Sequence, residues 1–175
     1  MSFLNNPKFQ IAAAVIFPNL GGFVNGRITA QNLKPWYASL NKPSLNPPNW
    51  VFGPVWTSLY AGMGYASYLV YRDGGGFSGN AQTALTLYGA QLILNHAWTP
   101  IFFKYHSMKW SSIEIVLLTG TAAACGYSFY QINPIAGQLF IPYLAWLSFA
   151  SFLNYTYYKL NPVSKPDDPK AVKSN

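Results

Sequence analysis

The amino-acid sequence predicts an all-α membrane protein, a bundle of five transmembrane helices with a long ordered loop between helices 1 and 2. Two observations carry that prediction. Only 9% of the 175 residues are charged, against roughly 25% in a soluble globular domain. The charges also leave long gaps: 18 residues between Lys8 and Arg27, 29 between Lys42 and Arg72, 30 between Asp73 and Lys104, and 44 between Glu114 and Lys159. A spanning helix needs about 20 predominantly apolar residues. The mean hydropathy of +0.12 is held down by 14 Gly, 13 Pro, 13 Tyr and 6 Trp. A soluble bundle needs polar outer faces, and these segments have almost no charge to build one.

The first three gaps hold one helix each, at 9–28, 49–71 and 82–103. The fourth, extended back to Trp110, holds two, at 110–131 and 138–158, broken at Gln131-Ile132-Asn133-Pro134. Together they make one transmembrane domain over 1–160. The tail 161–175, NPVSKPDDPKAVKSN, is rich in Pro and Lys and is expected to be disordered. Met1–Pro7 lacks a basic region and a cleavage site follows nowhere obvious, so helix 1 is expected to stay in the mature protein. The one sequon, Asn154-Tyr155-Thr156, falls inside helix 5.

Orientation follows from the Lys/Arg bias of short loops. One side carries only Lys8 and Arg72. The other holds Arg27, Lys34, Lys42, Lys104, Lys109, Lys159, Lys165, Lys170 and Lys173. That asymmetry places the C-terminus in the cytosol. The net charge of +7 is then topology and attraction to anionic headgroups, and no aromatic–basic patch points to nucleic acid. A single Cys excludes an internal disulfide framework and any Cys-based zinc site. Two histidines ten residues apart make no metal site, and no nucleophile–base pair or nucleotide-binding loop is present.

Polar groups and tryptophans gather in the cytosolic half. With a rise of about 1.5 Å per residue, Trp56 sits roughly 10 Å into helix 2, and Tyr60 is one turn deeper on the same face. Asn95 and His96 lie roughly 12 Å deep in helix 3, with Trp98 shallower; in helix 5, Trp146 lies roughly 18 Å deep and Asn154 about 6 Å. Above them runs the connection Thr29–Pro48, with Trp36, Tyr37 and four prolines, which suggests an ordered lid over a pocket. An apolar, aromatic site with a few polar groups fits a planar hydrophobic molecule.

Each feature has a second reading. Trp36, Trp50 and Trp110 suit an interfacial belt as well as a pocket. Asn95 suits a hydrogen bond between helices as well as a ligand, and His96 as an axial haem ligand has no partner ligand beside it. Glu114, the acid within the apolar spans, is a functional candidate or a favourable anion near a helix N-terminus. Gly22-x-x-x-Gly26 and Gly120-x-x-x-Ala124 suit contacts within the bundle or a homodimer. Leu153, Tyr155 and Lys159 satisfy the loose pattern proposed for cholesterol contact.

The run WYASLNKPSLNPPNWVFGPVWTSLYAGMGYASYLVY, with FPNLGGF, LNHAWTPIFF and PYLAWLSFASFLNY, closely resembles the translocator protein family. That family covers the animal peripheral benzodiazepine receptor and the bacterial tryptophan-rich sensory proteins. The similarity spans about residues 9–160, and its style looks like an animal member. The resemblance implies five transmembrane helices, often in a dimer, and for animal members the mitochondrial outer membrane. It implies a membrane receptor or carrier that binds cholesterol, porphyrins (protoporphyrin, haem) and benzodiazepine-site ligands, with no cofactor required. Trp56 and Trp146 match the paired tryptophans that bacterial relatives use in light-dependent porphyrin breakdown. Tyr37, Trp50, Asn95, Trp110 and Ala150 match positions lining or closing the pocket, and Leu153, Tyr155 and Lys159 match the cholesterol-recognition segment. Leu45 departs from the family's usual Trp, and His96 from its usual aromatic residue.

Three functions are thus set against one another. A receptor or carrier releases its porphyrin intact. A porphyrin-degrading enzyme would use Trp56 and Trp146 as electron donors to the photoexcited substrate. A scaffold would recruit partners through the basic tail.

Overall fold

The structure is a computed structural model and describes residues 6–34 and 36–162. It is all-helical: α1 (Pro7–Leu33), α2 (Asn49–Asp73), α3 (Gly79–Thr99), α4 (Met108–Ile132), the short α5 (Pro134–Gln138) and α6 (Ile141–Leu160). The chain from α5 through α6 occupies the place of the fifth predicted helix. The expected tail from Val163 onward lies outside the described residues.

Local chemistry sets the boundaries. Asn6 caps α1 by accepting from the Lys8 backbone N–H at 3.0 Å, and Pro7 supplies a first-turn residue that needs no donor. α2 begins directly after Pro47-Pro48 and ends where Gly75 and Gly76 take positive φ values of 83° and 81°, a conformation costly for residues with a Cβ. Pro100, which lacks an N–H, converts the end of α3 into a π-helical turn, Pro100–Lys104, closed by Tyr105 N–H on the Pro100 carbonyl at 2.9 Å. Ser107 caps α4. Asn133 caps α5, and its Nδ2 also donates to Asp73 at 2.6 Å, tying the end of α2 to this turn.

The boundaries differ from expectation most at α3, which spans Gly79–Thr99 rather than 82–103 because the π-helical turn begins at Pro100, and at the end of α1. α1 runs to Leu33 rather than 28. Arg27 does not end it, because its guanidinium lies 4.6 Å from the Phe23 ring centroid while the backbone continues as helix. The connection to α2 is correspondingly shorter, 34–48, and includes one 3₁₀ turn, Tyr37–Ser39.

The core lies where α2, α3, α4 and α6 meet, with Met63, Cys125, Phe129, Phe140, Tyr143 and Leu147 fully buried. α1 is peripheral: Pro18 is its one buried residue. It docks on α2 where Gly64 admits the α1 backbone, since a Cβ there would collide with Ala14 and Val15. Gly120 and Ala124 face outward from α4. Phe17, Phe23, Val116 and Leu117 are also exposed, an apolar surface that water does not tolerate but a bilayer covers. By length and composition, α1, α4 and the α5–α6 segment can each cross a membrane. α2 and α3 do not reach that hydropathy, for they carry the Trp, Tyr, Gln and Asn side chains that build the interior.

Candidate functional site

The helices enclose a cavity of about 550 Å³, walled by one face each of α1, α2, α3 and α6, with Ile115 and Leu118 of α4 at its back. Of the residues singled out from the sequence, Tyr37, Trp56, Tyr60, Asn95, Trp98, Trp146 and Ala150 line it, and so does Leu153. The wall is largely apolar and aromatic, and three hydrogen-bonded sets of side chains brace it.

The first set crosses three helices. Tyr60 O–H donates to Asn95 Oδ1 at 2.5 Å, Asn95 Nδ2 donates to the Tyr143 hydroxyl at 2.9 Å, and Tyr143 O–H donates to Gln91 Oε1 at 2.8 Å. Gln91 and Asn95 share one face of α3, one turn apart. The Tyr60 ring continues outward into Trp56, stacked at 5.5 Å and 30°, and Trp56 meets Tyr143 edge-on at 6.3 Å. The aromatic wall is therefore fixed from behind by polar bonds.

A second set joins α3, α4 and α6. Trp98 Nε1 donates to Asn154 Oδ1 at 3.1 Å, and Asn154 Nδ2 donates to Ser112 Oγ at 2.6 Å. The third fastens the α1–α2 connection to α6. Tyr157 O–H donates to the Tyr37 hydroxyl at 2.7 Å, and Tyr37 O–H donates to Asn46 Oδ1 at 3.3 Å. Nearby, Asn41 N–H donates to Asn161 Oδ1 at 2.9 Å while Asn161 Nδ2 donates to the Asn41 carbonyl at 3.0 Å.

Trp146 stands outside these sets. Among the described residues, the buried Trp146 Nε1–H has no hydrogen-bond acceptor. A buried donor without a partner is costly, and here it belongs to a cavity wall.

The pattern of tryptophans on a five-helix frame has known counterparts. The profile of the TspO/MBR family matches residues 14–160. The chain belongs to this family. The Translocator protein of Homo sapiens is 49% identical over 144 residues, covering 82% of this chain and 85% of its own length. That of Sus scrofa is 46% identical over 155 residues, covering 89% and 92%. The Tryptophan-rich sensory protein of Cereibacter sphaeroides is 42% identical over 135 residues, covering 76% and 82%.

The remaining residues fall elsewhere on this family fold. Trp50 is 75% exposed at the start of α2 and does not line the cavity. Trp110 is 63% exposed and, with Glu114, lines a separate shallow groove between α4 and the π-helical turn. Both Glu114 oxygens lack partners among the described residues. Tyr155 and Lys159 lie on the outside of α6, with Lys159 Nζ 5.5 Å from the Tyr155 ring centroid, while Leu153 points inward. Leu45 is exposed.

His96 packs on α1 rather than lining the cavity. Its ring fills the space that Gly21 leaves open, and Asn25 Nδ2 approaches its Nδ1 at 3.2 Å. Trp36 likewise stacks on His106, at 4.1 Å and 16°.

Asn46 and Tyr157, which line the cavity, and Gln91 and Tyr143, which brace it through hydrogen bonds, are positions that sequence reasoning missed. The available signal was a polar residue recurring at helical spacing inside an apolar run: Gln91 with Asn95, and Asn154 with Tyr157.

Proposed function

We propose that this protein is a membrane receptor or carrier that binds planar hydrophobic molecules, porphyrins and sterols among them, together with benzodiazepine-site ligands, in the cavity beneath Tyr37. The observation that carries the reading is the cavity itself. Its volume of about 550 Å³ falls within the roughly 300–1,000 Å³ of small-molecule sites. Trp56 and Trp146 both line it and offer aromatic surface to an extended planar molecule. The family resemblance supplies the ligand classes, and the relatives' names, translocator and sensory protein, accord with movement or detection rather than hydrolysis.

Placement in the mitochondrial outer membrane with the C-terminus in the cytosol belongs to the same proposal. It is supported by likeness to animal relatives and by nine Lys/Arg on one side of the bilayer against two on the other. A sterol would have two places to lie: beside Leu153 inside the cavity, or against Tyr155 and Lys159 on the lipid face.

A second reading is favoured by one observation, the presence of Trp56 and Trp146 in the lining of one cavity. There they could pass electrons to a photoexcited porphyrin, as the resemblance to bacterial members implies. Turnover separates the two. Reconstituted protein is mixed with protoporphyrin and its visible spectrum followed in darkness and then in light. Saturable tryptophan quenching with the porphyrin spectrum intact supports the receptor. A light-dependent product band that disappears in Trp56→Phe supports the enzyme. No quenching at all overturns both.

A further inference from the structure

We infer that the cavity opens sideways into the bilayer, through the seam between α1 and α2 at Gly26, Ala30, Gly53 and Thr57, and that apolar ligands enter and leave there rather than beneath the α1–α2 connection. This inference rests on the proposed binding function and names its route.

The two helices run antiparallel, so their facing residues can be followed along one seam. At one end the helices touch. A Cβ on Gly64 would strike the α1 backbone at Ala14 and Val15, and a Cβ on Gly22 would strike the Tyr60 ring. Thr57 and Gly53 lie seven and eleven residues before Gly64, on the same face of α2, and Gly26 and Ala30 follow Gly22 at four-residue steps on α1. Here the helices part: a Cβ on Gly26 or on Gly53 meets nothing within 4 Å. All four residues line the cavity and all four are exposed. The wall residues from α3, α4 and α6 are instead buried or half-buried.

The other route is fastened. Beneath the connection stand Tyr37, Asn46 and Tyr157, hydrogen-bonded to one another, with Asn41 and Asn161 paired beside them. Passage there breaks several hydrogen bonds, whereas passage at the seam displaces only lipid. The seam's lining of small residues, with the Thr57 hydroxyl donating to the Gly53 carbonyl at 3.0 Å, suits a hydrophobic solute that is already dissolved in the bilayer.

The test uses full-length protein in phosphatidylcholine vesicles with protoporphyrin as probe, followed by stopped-flow tryptophan quenching. Gly26→Phe and Gly53→Phe place a ring in open space. A ring at the mouth raises the barrier in both directions, so association and dissociation should both slow, on the order of tenfold. Asn161→Ala, which loosens the connection, should leave both rates unchanged. Unaltered rates in both plugged variants, or faster exchange in Asn161→Ala, overturn the inference.

A ligand-free arm separates the route from the binding function. Native Cys125 is buried, so Thr57→Cys provides a single accessible thiol. It should react with an apolar maleimide dissolved in the bilayer and not with a sulfonated one; equal reaction with both overturns the lateral mouth. Absence of quenching by the unchanged protein would overturn the binding function, an outcome distinct from either arm.

Discussion

Tyr60 and Asn95, on neighbouring helices, are joined by a 2.5 Å hydrogen bond from the phenol to the amide oxygen, and both face the same cavity. Asn95 then reaches Tyr143, and Tyr143 reaches Gln91, so one buried polar chain determines where three helices stand. Such bonds within a membrane are individually modest, about 0.6 kcal/mol on average. An acceptor left empty inside the bundle costs more, about 1–3 kcal/mol.

Tyr60→Phe should therefore lower stability by about 1–3 kcal/mol, since it strands Asn95 Oδ1. Combining it with Asn95→Leu, which removes the stranded acceptor but also deprives Tyr143 of a donor, should cost less than the sum of the single changes. Thermal unfolding in detergent reads both. Additive costs would show that the two side chains are not coupled.

Asn154 joins Trp98 of α3 to Ser112 of α4 from its place on α6. Asn154→Ala should destabilise by about 1–3 kcal/mol, and it should also alter Trp98 emission, because the indole N–H loses its acceptor. Ser112→Ala should cost less and leave Trp98 emission unchanged. Emission spectra and unfolding midpoints of the two variants check the pair.

Tyr157→Phe should loosen residues 36–48 from α6, because its hydroxyl contacts both Tyr37 and Asn46. Limited proteolysis should cut this connection faster in the variant than in the unchanged protein. Identical cleavage rates would show that the connection is held by something else.

The glycines of α1 and α2 should respond with opposite signs. Gly64→Leu forces a side chain into the α1 backbone and should cost more than about 3 kcal/mol or prevent folding. Gly26→Ala enters open space and should be neutral or stabilising by up to about 1 kcal/mol, through helix propensity alone. Thermal melts of both, with Gly22→Ala against Tyr60 as an intermediate case, test the seam described here.

Much of this architecture was legible in the sequence. The gaps between charges marked the helices, Pro134 marked the break before α5, and Pro47-Pro48 marked the start of α2. Arg27 misled as an end of α1, because a long side chain can lie over its own helix while the backbone runs on. Helix 3 was expected to run through Pro100 to residue 103, whereas α3 ends at Thr99 and Pro100 opens a π-helical turn. Within the candidate site, depth alone grouped Trp56, Tyr60, Asn95 and Trp146. The pairing of Tyr143 with Gln91 depends on how each helix is rotated about its axis, which apolar runs on every face do not specify. The same limit applies to Trp50 and Trp110. As membrane-end tryptophans they suited a belt or a pocket, and the fold turns both outward.

The central claim is that the cavity walled by Trp56 and Trp146 is where planar ligands bind, and protoporphyrin titration of reconstituted protein tests it most directly. Trp56→Ala and Trp146→Ala should each weaken binding roughly fivefold or more, the equivalent of about 1 kcal/mol of lost ring contact, while exposed Trp50→Ala should leave affinity unchanged. Unaltered affinity in both cavity variants, in protein that still folds, would contradict the account.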